Sequence, residues 1–165
     1  MKRLLGKVMS LTNGRFNLVC VTVAVVSLML SCLAFAQDAT NSPVGLWKNI
    51  DDVTGKSKAL IRITENNGVL TGKIERLFRE PNEDQHPTCV KCEGANKDQP
   101  VLGMIILVGL KKDGDEYNGG TILDPDNGQQ YKSKLKLEDN AKKLNVRGYI
   151  GIPWIGRSQI WLREQ

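Results

Sequence analysis

Between Gln130 and Glu138 the chain alternates. Tyr131, Ser133, Leu135 and Leu137 fall on one side of an extended backbone, and Lys132, Lys134 and Lys136 on the other. A period of two with lysines on one face predicts a strand with that face in water. Less regular versions recur along the chain. Strands are predicted over 44–50 (VGLWKNI), 58–64 (KALIRIT), 69–78 (VLTGKIERLF), 116–124 (EYNGGTILD), 143–151 (KLNVRGYIG) and 158–164 (SQIWLRE). The run MIILVGL (104–110) is continuously apolar and too short to span a bilayer, so it predicts a strand buried on both faces. Asn66-Asn67-Gly68, Asp113-Gly114, Asp126-Asn127-Gly128 and Glu138-Asp139-Asn140 punctuate these segments. Asn, Asp and Gly suit tight turns because they tolerate positive φ. Gly72 inside its segment suggests a bulge or a bend. No segment has convincing helical periodicity.

Eight such strands at regular spacing imply an all-β antiparallel meander. Closed on itself, it makes an up-and-down barrel without exposed edges. A two-sheet sandwich is the main competitor. The longest connection runs from Arg79 to Pro100 and contains a C-x-x-C, Cys89 and Cys92.

The amino terminus alters the charge picture. Lys2, Arg3, Lys7 and Arg15 precede the apolar run Leu18–Leu33, which ends in Ala34-Phe35-Ala36. A basic segment, an apolar segment and an A-x-A end predict a secretory signal helix over 1–36, leaving one domain over 37–165. An uncleaved anchor is one alternative. A lipid attached at Cys32 is another, although Met29-Leu30 fits such a site poorly. The whole chain carries +5, which falls to +1 once those four bases are set aside. The basic balance therefore belongs mostly to targeting and gives no reason to expect a nucleic-acid partner. The expected location is exported, periplasmic or secreted, with membrane contact only through the amino-terminal segment if it is retained.

Cys20 and Cys32 lie in the signal segment, so Cys89 and Cys92 remain as a pair in an oxidising compartment. Zinc needs three or four ligands, and one C-x-x-C with His86 falls short unless Glu83, Asp84 or Glu93 joins. A thioredoxin-like centre needs a helix after its first cysteine, and EGANKDQP does not make one. The preferred reading is a structural disulfide, with no metal or cofactor assigned. Asp51-Asp52 and Asp124 with Asp126 sit in turn-like stretches, where Asp bonds local backbone. There is no G-x-S-x-G, and a Ser-His-Asp group would have to draw His86 from a loop.

A more suggestive group lies late in the chain. If Arg147 and Tyr149 face inward beside Tyr131, with Trp154 over the mouth, they make a polar anchor within an apolar cup. The alternative is that Arg147 faces solvent, because a slip of one residue reverses every face of a strand.

The stretches GLWKNIDDVTGK, GGTILDPDNGQQY and LNVRGYIGIPWIGRSQIWLR, in that order, resemble a bacterial secreted family known as domain of unknown function 2147. The resemblance runs from about Val44 to Arg163 and includes the C-x-x-C. It implies an exported, lipocalin-like barrel and no established activity. Gly45-Leu46-Trp47 is also similar to the lipocalin G-x-W signature. That likeness implies that Trp47 closes the narrow end under a late arginine, Arg163 or Arg157. The expected function is a non-enzymatic barrel that binds a small, partly apolar ligand in its interior or mouth. The alternatives are an interaction module with a filled barrel, a thiol-redox enzyme, or a hydrolase using Asp124 and Arg147. The sequence names neither the ligand nor the oligomeric state.

Overall fold

The computed structural model describes residues 41–164. The predicted signal segment and its cut after Ala36 lie outside the described residues. The strands are β1 (Gly45–Ile50), β2 (Ser57–Asn66), β3 (Val69–Leu77), β4 (Ile105–Asp113), β5 (Glu116–Asp124), β6 (Gln129–Glu138), β7 (Lys143–Tyr149) and β8 (Gly156–Glu164). Each pairs antiparallel with its neighbour in sequence, and β8 returns to pair with β1. The ring is a closed up-and-down barrel, not a sandwich. Because it closes within residues 45–164, the segment 37–165 carries the barrel's whole core.

Alternation sets the walls. Ala59, Ile61 and Ile63 of β2, Ser133 and Leu135 of β6, Leu144 and Val146 of β7, and Trp161 of β8 are all buried. The lysine face of β6 points outward. Lys134 pairs with Glu116 at 2.8 Å and Lys136 with Asp115 at 2.7 Å, across to β5 and the turn before it. Such exposed pairs add little stability and serve mainly to keep that face wet.

β4 departs from expectation. Ile106, Leu107 and Leu110 are buried, but Ile105 and Val108 are exposed. The strand is not covered on both faces. Its pairing with β3 shifts at Leu70/Thr71 and again at Gly72/Lys73, and Gly109 has φ +83°. Bulges re-phase the side chains, so inward residues are no longer two apart and the run reads as continuous. Gly72 marks the close approach, since a Cβ there would lie 2.9 Å from the Leu107 side chain.

The base of the barrel is built around one guanidinium. Trp47 is fully buried and donates from Nε1 to the Pro43 carbonyl at 2.7 Å. Arg163 lies over its ring, 4.2 Å from the centroid. Arg163 also donates from Nε to Ala141 O at 2.6 Å, from Nη1 to Val44 O at 3.0 Å and from Nη2 to Ser42 O at 2.7 Å. Burial pushes this guanidinium below its usual pKa. Carbonyls from two segments, the lead-in to β1 and the β6–β7 turn, compensate the charge, and no carboxylate pairs with it among the described residues. Ala141 needs that help, because Asp139, Asn140 and Ala141 all have positive φ. A left-handed alanine costs about 1–2 kcal/mol.

Gly45 completes the base. Its φ is +142°, and a Cβ would sit 2.8 Å from Arg163 Nη1. The G-x-W pattern thus has a local cause: tryptophan needs the arginine, and the arginine needs a glycine beside it. Trp47→Ala should cost about 3–5 kcal/mol in urea unfolding. Arg163→Lys should recover little of the loss seen in Arg163→Ala, since an ammonium cannot serve three diverging carbonyls while stacked on the ring. Full recovery by lysine would show that charge alone matters.

Candidate functional site

The lower barrel is packed. Trp47, Ile63, Leu70, Leu110, Leu135 and Leu144 are fully buried and fill it. The upper half is hollow, with a cavity of about 1390 Å³ opening among the β1–β2, β3–β4, β5–β6 and β7–β8 connections. Its deep wall is apolar, from Ile61, Ile74, Ile106, Ile122, Val146 and Trp161. Asn49 and Gln159 add a polar pair, with Asn49 Nδ2 donating to Gln159 Oε1 at 3.2 Å. Asn49 Oδ1 is buried without a hydrogen-bond partner. It is an acceptor held ready in an otherwise greasy cup, and such a group is expensive to leave unpaired.

The anticipated binding residues divide. Tyr131 and Tyr149 line the cavity, Tyr149 at the rim where β7 ends. Tyr131 Oη accepts from Asn127 Nδ2 at 3.1 Å. Arg147 is not in the cup. Val146 and Gly148 occupy the inward phase of β7, so Arg147 points outward. There it donates to Pro153 O at 2.7 Å, to Ser158 Oγ at 3.0 Å and to Trp154 O at 3.5 Å. It staples the β7–β8 hairpin from outside. Trp154 does not cover the mouth either; it projects into solvent, 85% exposed.

The mouth carries its own cations. Arg76, just past the bulge that leaves Glu75 unpaired with β2, lines the cavity mouth with its guanidinium 4.9 Å from the centroid of the Phe78 ring. Arg76 and Arg79 form no ion pair among the described residues. The other mouth charges are taken: Lys56 by Glu80 at 2.8 Å, Lys58 by Asp126 at 2.5 Å, and Arg157 by Asp52. The Arg157 hydrogen bond holds the Asp52 carboxyl below its usual pKa. That tie therefore persists above the ordinary carboxylate range and is lost as pH falls below it.

The candidate carboxylates are turn builders. Asp51 Oδ1 accepts from the Val53 and Thr54 backbone at 3.1 and 2.7 Å. Asp124 accepts from Asp126 N at 3.0 Å and from Asn127 Nδ2 at 3.0 Å. The mouth residues Asn49, Arg76 and Phe78 escaped sequence reading. Leu70, Gly72 and Ile74 share the inward phase of β3, but the bulge at Glu75 breaks the alternation before Arg76, so period two carries no signal for it.

Cys89 and Cys92 form a disulfide. Both sulfurs are buried, at 0% and 2% exposure for the two residues. They are therefore neither thiolate ligands nor an open redox pair. Their lobe is held by Cys89 N to Gln99 O at 2.8 Å, Val101 N to Pro87 O at 2.9 Å, and a bridge between Thr88 and Pro100. It packs on the β5–β6 turn. Cys89 Sγ lies 3.3 Å from Pro125 O, and a Cβ on Gly128 would collide with the Lys91 carbonyl. The long connection thereby becomes part of the mouth wall.

An eight-stranded antiparallel barrel with a sealed base and an open, apolar cup defines a lipocalin-like protein. The chain belongs to the family described as "Uncharacterized protein conserved in bacteria (DUF2147)", whose model matches residues 45–163. Among solved structures it is similar to protein HP1028 from Helicobacter pylori, which is described as belonging to the lipocalin family. That match has a TM-score of 0.62 and 16% identity, and covers 75% of this chain and 84% of the other. At that identity the likeness establishes the fold alone. No curated protein matches the chain in sequence.

Two variants probe the lobe. Gly128→Ala, with positive φ and no space, should cost about 1–3 kcal/mol. Cys89→Ser with Cys92→Ser should cost only about 2 kcal/mol, because the closed loop is short. In that double variant, trypsin cleavage at Lys91 should speed up while the barrel still unfolds in one cooperative urea transition, lowered by no more than that amount. Loss of the barrel itself would show that the disulfide holds more than its own lobe.

Proposed function

We propose that this protein is an exported, non-enzymatic carrier that binds one small, partly apolar molecule in its upper cup. The observation that carries the proposal is the division of the barrel into a packed lower half and a hollow upper half. A barrel serving only as a surface module has no use for an open cup of about 1390 Å³ whose deep wall leaves apolar side chains facing solvent. The apolar wall supplies affinity, and the few polar groups supply orientation. Tyr131, Tyr149, the Asn49–Gln159 pair and Arg76 at the lip are those groups. Hydrolysis is disfavoured because Asp51, Asp52, Asp124 and Asp126 are committed to turns and ion pairs. Thiol-redox chemistry is disfavoured by the buried disulfide. The A-x-A end of the amino-terminal segment supports export.

The test uses residues 37–165 and the apolar fluorophore 1-anilinonaphthalene-8-sulfonate. Saturable binding at one site should accompany quenching of Trp161, which lines the cup. Ala59→Trp adds bulk on the cavity wall. It should abolish that binding while leaving the urea midpoint within about 1–3 kcal/mol of the parent. Absence of saturable binding, or undiminished binding by Ala59→Trp, would contradict the cup as a binding site. For export, the chain recovered from the periplasm or medium of an expressing bacterium should have the mass of a protein beginning at Gln37. Recovery with Met1 intact would contradict cleavage.

A further inference from the structure

The connection between β7 and β8 is the most apolar exposed surface among the described residues. Ile150, Ile152, Trp154 and Ile155 are all exposed within six positions. An unstructured loop would bury some of them by collapse. This one is held open: Ile150 N donates to Ile155 O at 3.0 Å, Ile155 N to Ile152 O at 3.0 Å, and Arg147 grips Pro153 O and Trp154 O from below. The ion pair between Arg157 and Asp52 anchors its foot to the β1–β2 loop, where Val53 adds another exposed apolar side chain. Large apolar groups displayed on a rigid support mark a contact surface.

The charge pattern indicates the occupant. From Leu144 to Leu162 the hairpin carries Arg147 and Arg157 and no acidic residue, and Arg157 is paired with Asp52. Arg147, nearest the tip, forms no ion pair among the described residues. A tryptophan with aliphatic neighbours above an uncompensated arginine suits the boundary between headgroups and acyl chains, where the indole sits among headgroups and the cation meets lipid phosphate. A protein partner or a second copy fits less well. Four side chains on a hairpin end cannot bury the ~800 Å² per partner that a stable interface takes.

We infer that the β7–β8 tip docks this protein on an anionic lipid surface through Trp154 and Ile152, with the cup mouth turned toward the bilayer. Ile150 and Ile155 line the cavity, while Ile152 and Trp154 do not. The tip therefore makes a continuous apolar path from the cup lip outward. A lipophilic molecule can pass between bilayer and cup along that path without crossing water. Docking itself goes beyond the carrier reading and does not need it, since the tip stands whether or not the cup is filled.

The protein carries its own probe. Trp47 and Trp161 are fully buried, and Trp154 alone among the three tryptophans is exposed. Residues 37–165 are mixed with vesicles of equal parts phosphatidylglycerol and phosphatidylcholine. Trp154 emission should shift to the blue and become shielded from acrylamide, and the protein should float with the vesicles. The variant carrying Trp154→Ser and Ile152→Ser should bind these vesicles about tenfold or more weakly, with the emission of Trp47 and Trp161 unchanged to certify its fold. Vesicles of phosphatidylcholine alone should bind less, and added salt should weaken binding to the anionic ones. Undiminished flotation of the double variant would overturn the proposal. So would equal binding to both vesicle types, or a blue shift that depends on protein concentration without lipid, which would mark a second copy as the occupant.

Discussion

The contact between Arg163 and Trp47 organises the molecule. A guanidinium taken partly out of water is costly unless its donors are satisfied and its face is covered. Here the ring covers the face and the carbonyls of Ser42, Val44 and Ala141 take the donors. Those three residues lie before β1 and in the β6–β7 turn, while the arginine belongs to β8. One side chain thus fastens the first strand, the last strand and the penultimate turn at the same end. The cation–π term itself is modest, ~0.5–2 kcal/mol. Its importance is topological, since closing a barrel requires the two ends of the chain to meet in a fixed register.

With the base fixed, the mouth is free to be hollow. The strands need not fill their upper half because the lower half already supplies a dry core. The upper half then carries loops of different character. The β3–β4 connection, braced by its disulfide and by Gly128, thickens one side of the wall. The β7–β8 connection, stapled by Arg147, projects apolar side chains from the other. Both are shaped by contacts with the strands beneath them, so the rim is a built surface and not slack chain.

Much of this was legible in the sequence. Alternation, with one continuous apolar run for β4 and the turn signals between, located all eight strands to within a few residues, and the β6 lysines fixed which face of that strand met water. Trp47, Arg163 and the cysteine pair were legible because each depends on spacing along a known pattern. Failures came where alternation breaks. In β4 the bulges place Ile106 and Leu107 inward together, which one-dimensional periodicity reads as a strand buried on both faces. In β7 the inward phase passes through Gly148, a residue without a side chain to reveal it, so the sequence left open which side Arg147 takes; it lies outside. Arg76 is not legible because a bulge at Glu75 breaks the alternation of β3 just before it. The exposure of Trp154 depends on hairpin geometry set by Pro153, Gly151 and the Arg147 staple, which no local pattern encodes.

The most direct measurement of the central claim is native-state amide hydrogen exchange on residues 37–165. The backbone amides of Trp47, Arg163 and their β1–β8 partners should exchange only through global unfolding, with the same free energy as the urea transition. Amides at the upper ends of β7 and β8 should exchange through smaller openings. If instead the β1–β8 seam opened locally, at a free energy well below that of global unfolding, the arginine at the base would not be what closes this barrel.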